Sequence, residues 1–139
     1  MNNGIFVSEE QDTFELSAYY TKEGDFKVYK PDELSDEDKE NHLKMAISFV
    51  MPDYAKSRAI MRQSTVYMGG QSTIDFSVLQ NSMFEVLVKG WDLKNEEGEE
   101  IPFSFEKLSR MRPDIARCFV EQLVKKLTDE GVYDSLLVS

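Results

Sequence analysis

One histidine and one cysteine are the side chains from which nucleophilic or general-base chemistry could be built in this chain. His42 ends an acidic run, residues 32–42, and nothing near it in sequence offers an orienting partner or a nucleophile within hydrogen-bond reach. It reads as a surface histidine rather than a base. Cys118 lies between Arg117 and Phe119, beside an apolar helical stripe. A neighbouring Arg lowers a thiol pKa, whereas burial makes a free cysteine a small inert hydrophobe, and we prefer the second reading. Thiolate–imidazole catalysis would need His42 and Cys118 to meet, and no motif brings them together. Carboxylates are abundant, so counting does not exclude a glycosidase-type acid pair. A chain this short nevertheless has little material beyond its core for the cleft that such chemistry needs. The acidic run lacks the Gly at the bend and the alternating carboxylates of a calcium loop, so it reads as a solvated loop or a first helical turn. No catalytic residue, no cofactor and no metal are expected.

Binding is the remaining chemistry. Lys107, Arg110, Arg112 and Arg117 form the main basic cluster, flanked by Lys125 and Lys126. It reads as a solvated face balancing an acidic surface; the functional alternative is contact with an acidic partner or with a neighbouring copy's acidic turn, residues 96–100. A formal net charge of −10 argues against a general phosphate-backbone binder, so no nucleic acid is expected as partner. Gly69-Gly70 is not a phosphate loop, because no Gly-Lys-Ser/Thr follows. Met45, Met51, Met61, Met68, Met83 and Met111 fall mostly at core-facing positions. Flexible thioethers there fill gaps, and the same chemistry suits a groove that accepts varied apolar helices.

The elements that would position these residues follow from periodicity. With 139 residues, the chain suits one domain over 1–139, a β-rich part at 1–52 followed by a helical part at 53–139. A lone cysteine forms no internal disulfide, the start has no signal-peptide pattern, and no apolar run reaches membrane-span length, so a cytosolic protein is expected. Residues 1–12 read as a loose arm. Phe14, Leu16, Ala18 and Tyr20 alternate as one face of a strand, Lys22-Glu23-Gly24-Asp25 turns, and Phe26 and Val28 continue a β-hairpin. Residues 43–50 fit strand or helix; a third strand is favoured because Pro52 biases Met51 to extended geometry and Asp53 is a natural cap. A helix over 53–63 would turn Tyr54, Ile60 and Met61 inward. The stretch 64–73 reads as an internal linker around Gly69-Gly70.

From residue 74 or 75 a helix carries Phe76, Leu79, Met83, Phe84, Val86, Leu87 and Val88, and Gly90 lets the chain leave it. Trp91 then lies in a connection, Asn95 to Gly98 turn, and Ser104 caps a short helix over 105–110. Pro113 opens a last helix over 113–128 with Ile115, Phe119, Leu123 and Leu127 on one stripe, closed by Gly131. The apolar tail, residues 132–139, is expected to pack back or to bind something. The fold expected is α+β: an N-terminal β-hairpin, with a third strand favoured, followed by a mainly α C-terminal half of four helices.

The order Trp91-Asp92-Leu93, an acidic turn with Gly98, Ile101-Pro102, Phe105-Glu106-Lys107-Leu108 and Arg112-Pro113 between two amphipathic helices resembles the tail assembly chaperones of long-tailed bacteriophages. In that family a W-x-L … E-G … P … E-x-L … P stretch joins two helices, and the resemblance covers roughly the last two thirds of this chain. It implies a non-catalytic protein of the host cytoplasm that coats the tape-measure protein and helps deliver tail-tube subunits, without staying in the finished virion. The matching positions are Trp91, Leu93, Gly98, Pro102, Leu108 and Pro113, with Phe105 inside the same stretch. Trp91 and the two Pro are read as fold-determining more than partner-contacting. A homo-oligomer is compatible with this role. Two alternatives come from other classes: an acidic inhibitor that mimics nucleic acid, and a structural tail or neck subunit. The first predicts evenly spaced carboxylates over one face, whereas here they concentrate at 32–40 and 96–100.

Overall fold

The computed structural model describes residues 5–8 and 10–131. The apolar tail at 132–139 and part of the expected N-terminal arm lie outside the described residues. Alternation of Phe14, Leu16, Ala18 and Tyr20 does produce a strand, β1 (Thr13–Thr21), which turns back into the short β2 (Val28–Tyr29). The favoured third strand is β3 (His42–Val50), paired antiparallel with β1 along its whole length, Thr13 opposite Val50 and Thr21 opposite His42. Between β2 and β3 the acidic run makes a 3-10 turn (Pro31–Glu33) and a one-turn helix, α1 (Asp36–Glu40), whose first turn is capped by the Ser35 hydroxyl. None of its residues is buried, as a solvated charge run requires.

Asp53 accepts the Lys56 N–H at 2.8 Å and starts α2 (Tyr54–Ser64). Asp75 accepts from Ser77 and Val78 and starts α3 (Phe76–Leu87). Ser104 caps α4 (Phe105–Ser109), and Pro113 occupies the first turn of α5 (Pro113–Asp129). Each cap supplies an acceptor for amides that a helix start leaves unpaired.

Four expectations need correction. The helices number five among the described residues, the fifth being α1 in the acidic run, and the C-terminal half is not purely helical. Residues 64–73 are not a linker: β4 (Thr65–Met68) and β5 (Gln71–Ile74) form a hairpin. Gly69 and Gly70 both have positive φ, 59° and 80°, the backbone that a two-residue hairpin loop of type I′ requires. Helix α3 stops at Leu87, with Val88 only as its cap, so Val88 and Gly90 are not the helix end and exit expected. They lie in β6 (Val88–Trp91), which joins the sheet beside β3, giving the order β2-β1-β3-β6. Tyr54 does not face inward but is 77% exposed, since α2 is buried only further along, at Ile60 and Ser64.

One apolar cluster unites the two halves: Ala18, Ile47 and Phe49 from the sheet, Ile60 from α2, Leu79, Met83 and Leu87 from α3, and Phe119, Leu123 and Leu127 from α5. Phe49 is fully buried and edge-on to Phe84, with ring centres 5.5 Å apart, and it stacks on Phe14 at 5.8 Å. Such pairs contribute about 0.5–1.5 kcal/mol beyond area burial. The helix α5 is tied to the sheet by Gln122, whose amide donates to the Ser17 carbonyl at 2.8 Å, and by an ion pair between Lys30 and Glu121.

Candidate functional site

β6 and the residues after it are where the family-like stretch is built. Asp92 extends the β3–β6 pairing: its N–H donates to the Ala46 carbonyl at 3.2 Å, and its carboxylate accepts the Ala46 N–H at 2.8 Å. The chain then makes a second small hairpin. The Ile101 N–H donates to Leu93, Lys94 bridges Glu100, and the Asn95 N–H donates to Glu99. At its tip the Asn95 side chain accepts from both Glu97 and Glu99 at 2.9 Å, and Gly98 has φ 82°. The Trp91 indole closes the base by donating to the Ile101 carbonyl at 2.8 Å. Its ring meets Phe103 edge-on at 4.8 Å, and Phe103 in turn meets Phe105 at 5.5 Å.

Two cavities flank α4. The first, of about 300 Å³, is lined by Met45, Trp91, Leu93, Ile101, Met111 and Ile115, with Lys107, Arg110 and Arg112 at its rim. The second, of about 360 Å³, is lined mainly by Phe84, Val86, Phe105, Leu108, Ala116 and Val120, with polar Gln63, Asn81 and Ser109 around them. The expected residues therefore divide. Trp91 and Leu93 share one cavity; Phe105 and Leu108 share the other. Pro102 is exposed and lines a further pocket of about 600 Å³ together with Trp91, Leu93 and Phe103. Gly98 at the hairpin tip and Pro113 at the start of α5 line neither cavity and shape the backbone instead.

Four of the six basic side chains of this cluster pair with neighbouring carboxylates. Arg112 grips Asp114 with two hydrogen bonds of 3.1 Å while its guanidinium lies 4.0 Å from the centre of the Phe26 ring. That side-chain hydrogen bond holds the Asp114 carboxyl below the usual carboxylate range. Arg110 pairs with Glu106, Lys125 with Asp129 and Lys126 with Glu130, each one helical turn apart on exposed surface. Exposed pairs of this kind add little stability, so the cluster reads as a balanced surface rather than an anion site.

The two side chains suited to catalysis have other partners. His42 Nδ1 is 2.7 Å from the Asp38 carbonyl, so that nitrogen carries the proton, and the ring is edge-on to Tyr29. Cys118 is buried, and burial pushes its thiol up to about 11, opposed by a hydrogen bond from Gln122. It remains a protonated thiol at neutral pH. Among the described residues no group of three or more His, Cys, Asp and Glu is placed to hold a metal ion, and no helix is long and apolar enough to cross a membrane.

Sequence reasoning missed Phe103, the link between the Trp91 and Phe105 rings, and Asp92, which anchors the strand. Phe103 lies one residue after the matched Pro102, and its signal was the Trp-Phe-Phe spacing itself. Known family models, curated proteins and solved structures provide no match to this chain.

Proposed function

We propose that the protein is a non-catalytic binding protein of the tail assembly chaperone kind, acting in the cytoplasm of an infected host on the tape-measure protein and on tail-tube subunits. One observation carries this reading. The family-like residues Trp91 and Leu93 line a mainly apolar cavity together with two methionines and two isoleucines, and the exposed Phe105 lines a second cavity. Thioethers adapt to side chains of varied shape, so such a lining accepts different turns of a long helix rather than one fixed residue. A helix laid across α4 would present apolar side chains from successive turns to both cavities, a form of helix-in-groove recognition. The strongly acidic surface keeps both the free protein and its complex dispersed.

The test is a pull-down with the tagged chain from infected cells, or from cells co-expressing the tail proteins. Recovery of the tape-measure protein or the tail-tube subunit supports the proposal. Recovery of a nuclease or another DNA-binding protein, with no tail component, overturns it in favour of a nucleic-acid mimic. Detection of the chain in purified virions by mass spectrometry would make it a structural tail or neck subunit instead.

A further inference from the structure

We infer that the β4–β5 hairpin joins two copies of this chain, strand β4 of one pairing antiparallel with β4 of the other. This inference is independent of the tail-assembly reading and of the cavities around α4. Among the described residues the two strands pair with each other and with no other strand, and every residue over 66–73 is exposed. A two-stranded ribbon of this length is marginal by itself in water. Its apolar side chains are nevertheless turned outward: Tyr67 is 79% exposed, Met68 74% and Val66 40%.

Charge identifies the occupant. The chain carries 16 basic and 26 acidic residues, so two copies repel each other across most of their surfaces. From Ser64 to Ile74 there is no charged side chain at all. Edge strands are ordinarily guarded by charge, as β6 is by Lys89 and the Asp92 that follows it, and β4 has no such guard. An uncharged edge is the part of an acidic protein that can approach its own copy without bringing like charges together. The hairpin also extends by roughly 13 Å from its base, more than the Debye length of about 8 Å at physiological salt, which separates the acidic bodies.

Antiparallel pairing of identical strands is two-fold symmetric, so one edge serves both copies and the assembly closes at a dimer. The product is a four-stranded sheet in the order β5-β4-β4-β5. Period-two alternation sets Val66 and Met68 on one face and Tyr67 on the other, where each meets its counterparts in the second copy. Three residues of β4, Thr65, Val66 and Tyr67, are of types that favour strands, against two in β5, Thr73 and Ile74.

The experiment is sedimentation equilibrium of the full chain across a concentration series, with Met68→Lys as the variant. Met68 is exposed, so the substitution leaves the fold intact, which circular dichroism verifies. Wild type is expected at twice the chain mass of 16.1 kDa at about 50 μM, and Met68→Lys is expected to weaken dimerisation by about tenfold or more because the two-fold axis brings the new charges close together. Hydrogen exchange should show the β4 amides protected in the wild-type dimer and unprotected in the variant. A wild-type mass of one chain throughout the series overturns the proposal, as does a dimer that Met68→Lys leaves unchanged.

Discussion

The Trp91 indole N–H donates to the Ile101 carbonyl at 2.8 Å, ten residues further along the chain. This single bond makes the end of β6 and the return strand of the next hairpin one unit, and it fixes the ring against Phe103. Trp91→Phe removes the donor and keeps most of the apolar ring. The expected cost is about 1 kcal/mol, the net value of one partly shielded hydrogen bond. Trp91→Ala also empties the wall of the cavity and should cost about 2–4 kcal/mol, less than a fully buried aromatic, since Trp91 is half-buried. Urea denaturation checks both, as a shift in midpoint at unchanged slope.

Asp92 is solvent-exposed yet holds the N–H of the buried Ala46. Asp92→Ala should cost about 1–3 kcal/mol, because it leaves a buried amide without its acceptor. Asp92→Asn keeps a carbonyl oxygen in the same place and should recover most of the loss. Loss of equal size in both variants would show that charge, not the hydrogen bond, is what matters.

The contrast between these residues and the well-read ones shows where sequence is informative. The β1 strand was legible because Phe14, Leu16, Ala18 and Tyr20 repeat with period two; β3 fits strand and helix periods alike, and Pro52 and Asp53 after it favour the strand. Asp53, Ser104 and Pro113 announced helix starts through chemistry that is local to one turn. β6 was not legible. Four residues are too short to show a period, and Phe84, Leu87 and Val88 continue the spacing of the helix before them. What makes Val88 a strand residue is the free edge of β3, some forty positions earlier, and no local pattern encodes that pairing. The β4–β5 hairpin was misread for a different reason. Gly69-Gly70 signals a turn equally well in a linker and in a ribbon, and the flanking residues are too exposed to alternate. At the site, Trp91 and Leu93 were found, but Met45 comes to the same cavity from β3, and Met111 and Ile115 come from the residues around the start of α5.

Cys118 makes a prediction about pH. Its folded thiol is raised to about 11 from an ordinary 9.0, mainly by burial. A raised folded value means that the stabilising contribution is complete below pH 9 and is lost as pH rises from 9 through 11. The size is roughly 3 kcal/mol at most, from two pKa steps. Comparing denaturation midpoints of wild type and Cys118→Ala at pH 8, 10 and 11 isolates this contribution from that of ionising tyrosines. At pH 8 the native thiol should also react with iodoacetamide about 100-fold more slowly than the denatured chain. Equal rates in the two states would refute a buried, protonated thiol.

Gly98 tests whether a family-like position serves the backbone or a partner. Its φ of 82° is left-handed, and a Cβ added there meets nothing within 4 Å. Gly98→Ala should therefore destabilise by about 1 kcal/mol through backbone strain alone. On the function proposed above, capture of tail proteins by the folded variant should be unchanged. Weakened capture with full stability would assign the hairpin tip to the partner contact.

Phe105 offers the opposite case. It is 64% exposed, at the start of α4, with its ring against Phe103 and beside the cavity shared with Leu108. An exposed aromatic gives up little on truncation, so Phe105→Ala should change stability by less than about 1 kcal/mol. If a partner helix lies across α4, the same ring becomes a buried anchor, and aromatic anchors at interface centres contribute about 2 kcal/mol or more. The expected outcome is capture of the tape-measure protein weakened by roughly tenfold or more, with an unaltered denaturation midpoint. Leu108→Ala is the necessary comparison, because Leu108 is partly buried against the core and should lose both stability and binding. Unchanged capture by Phe105→Ala would remove the second cavity from the contact and confine the partner to the side lined by Trp91 and Leu93.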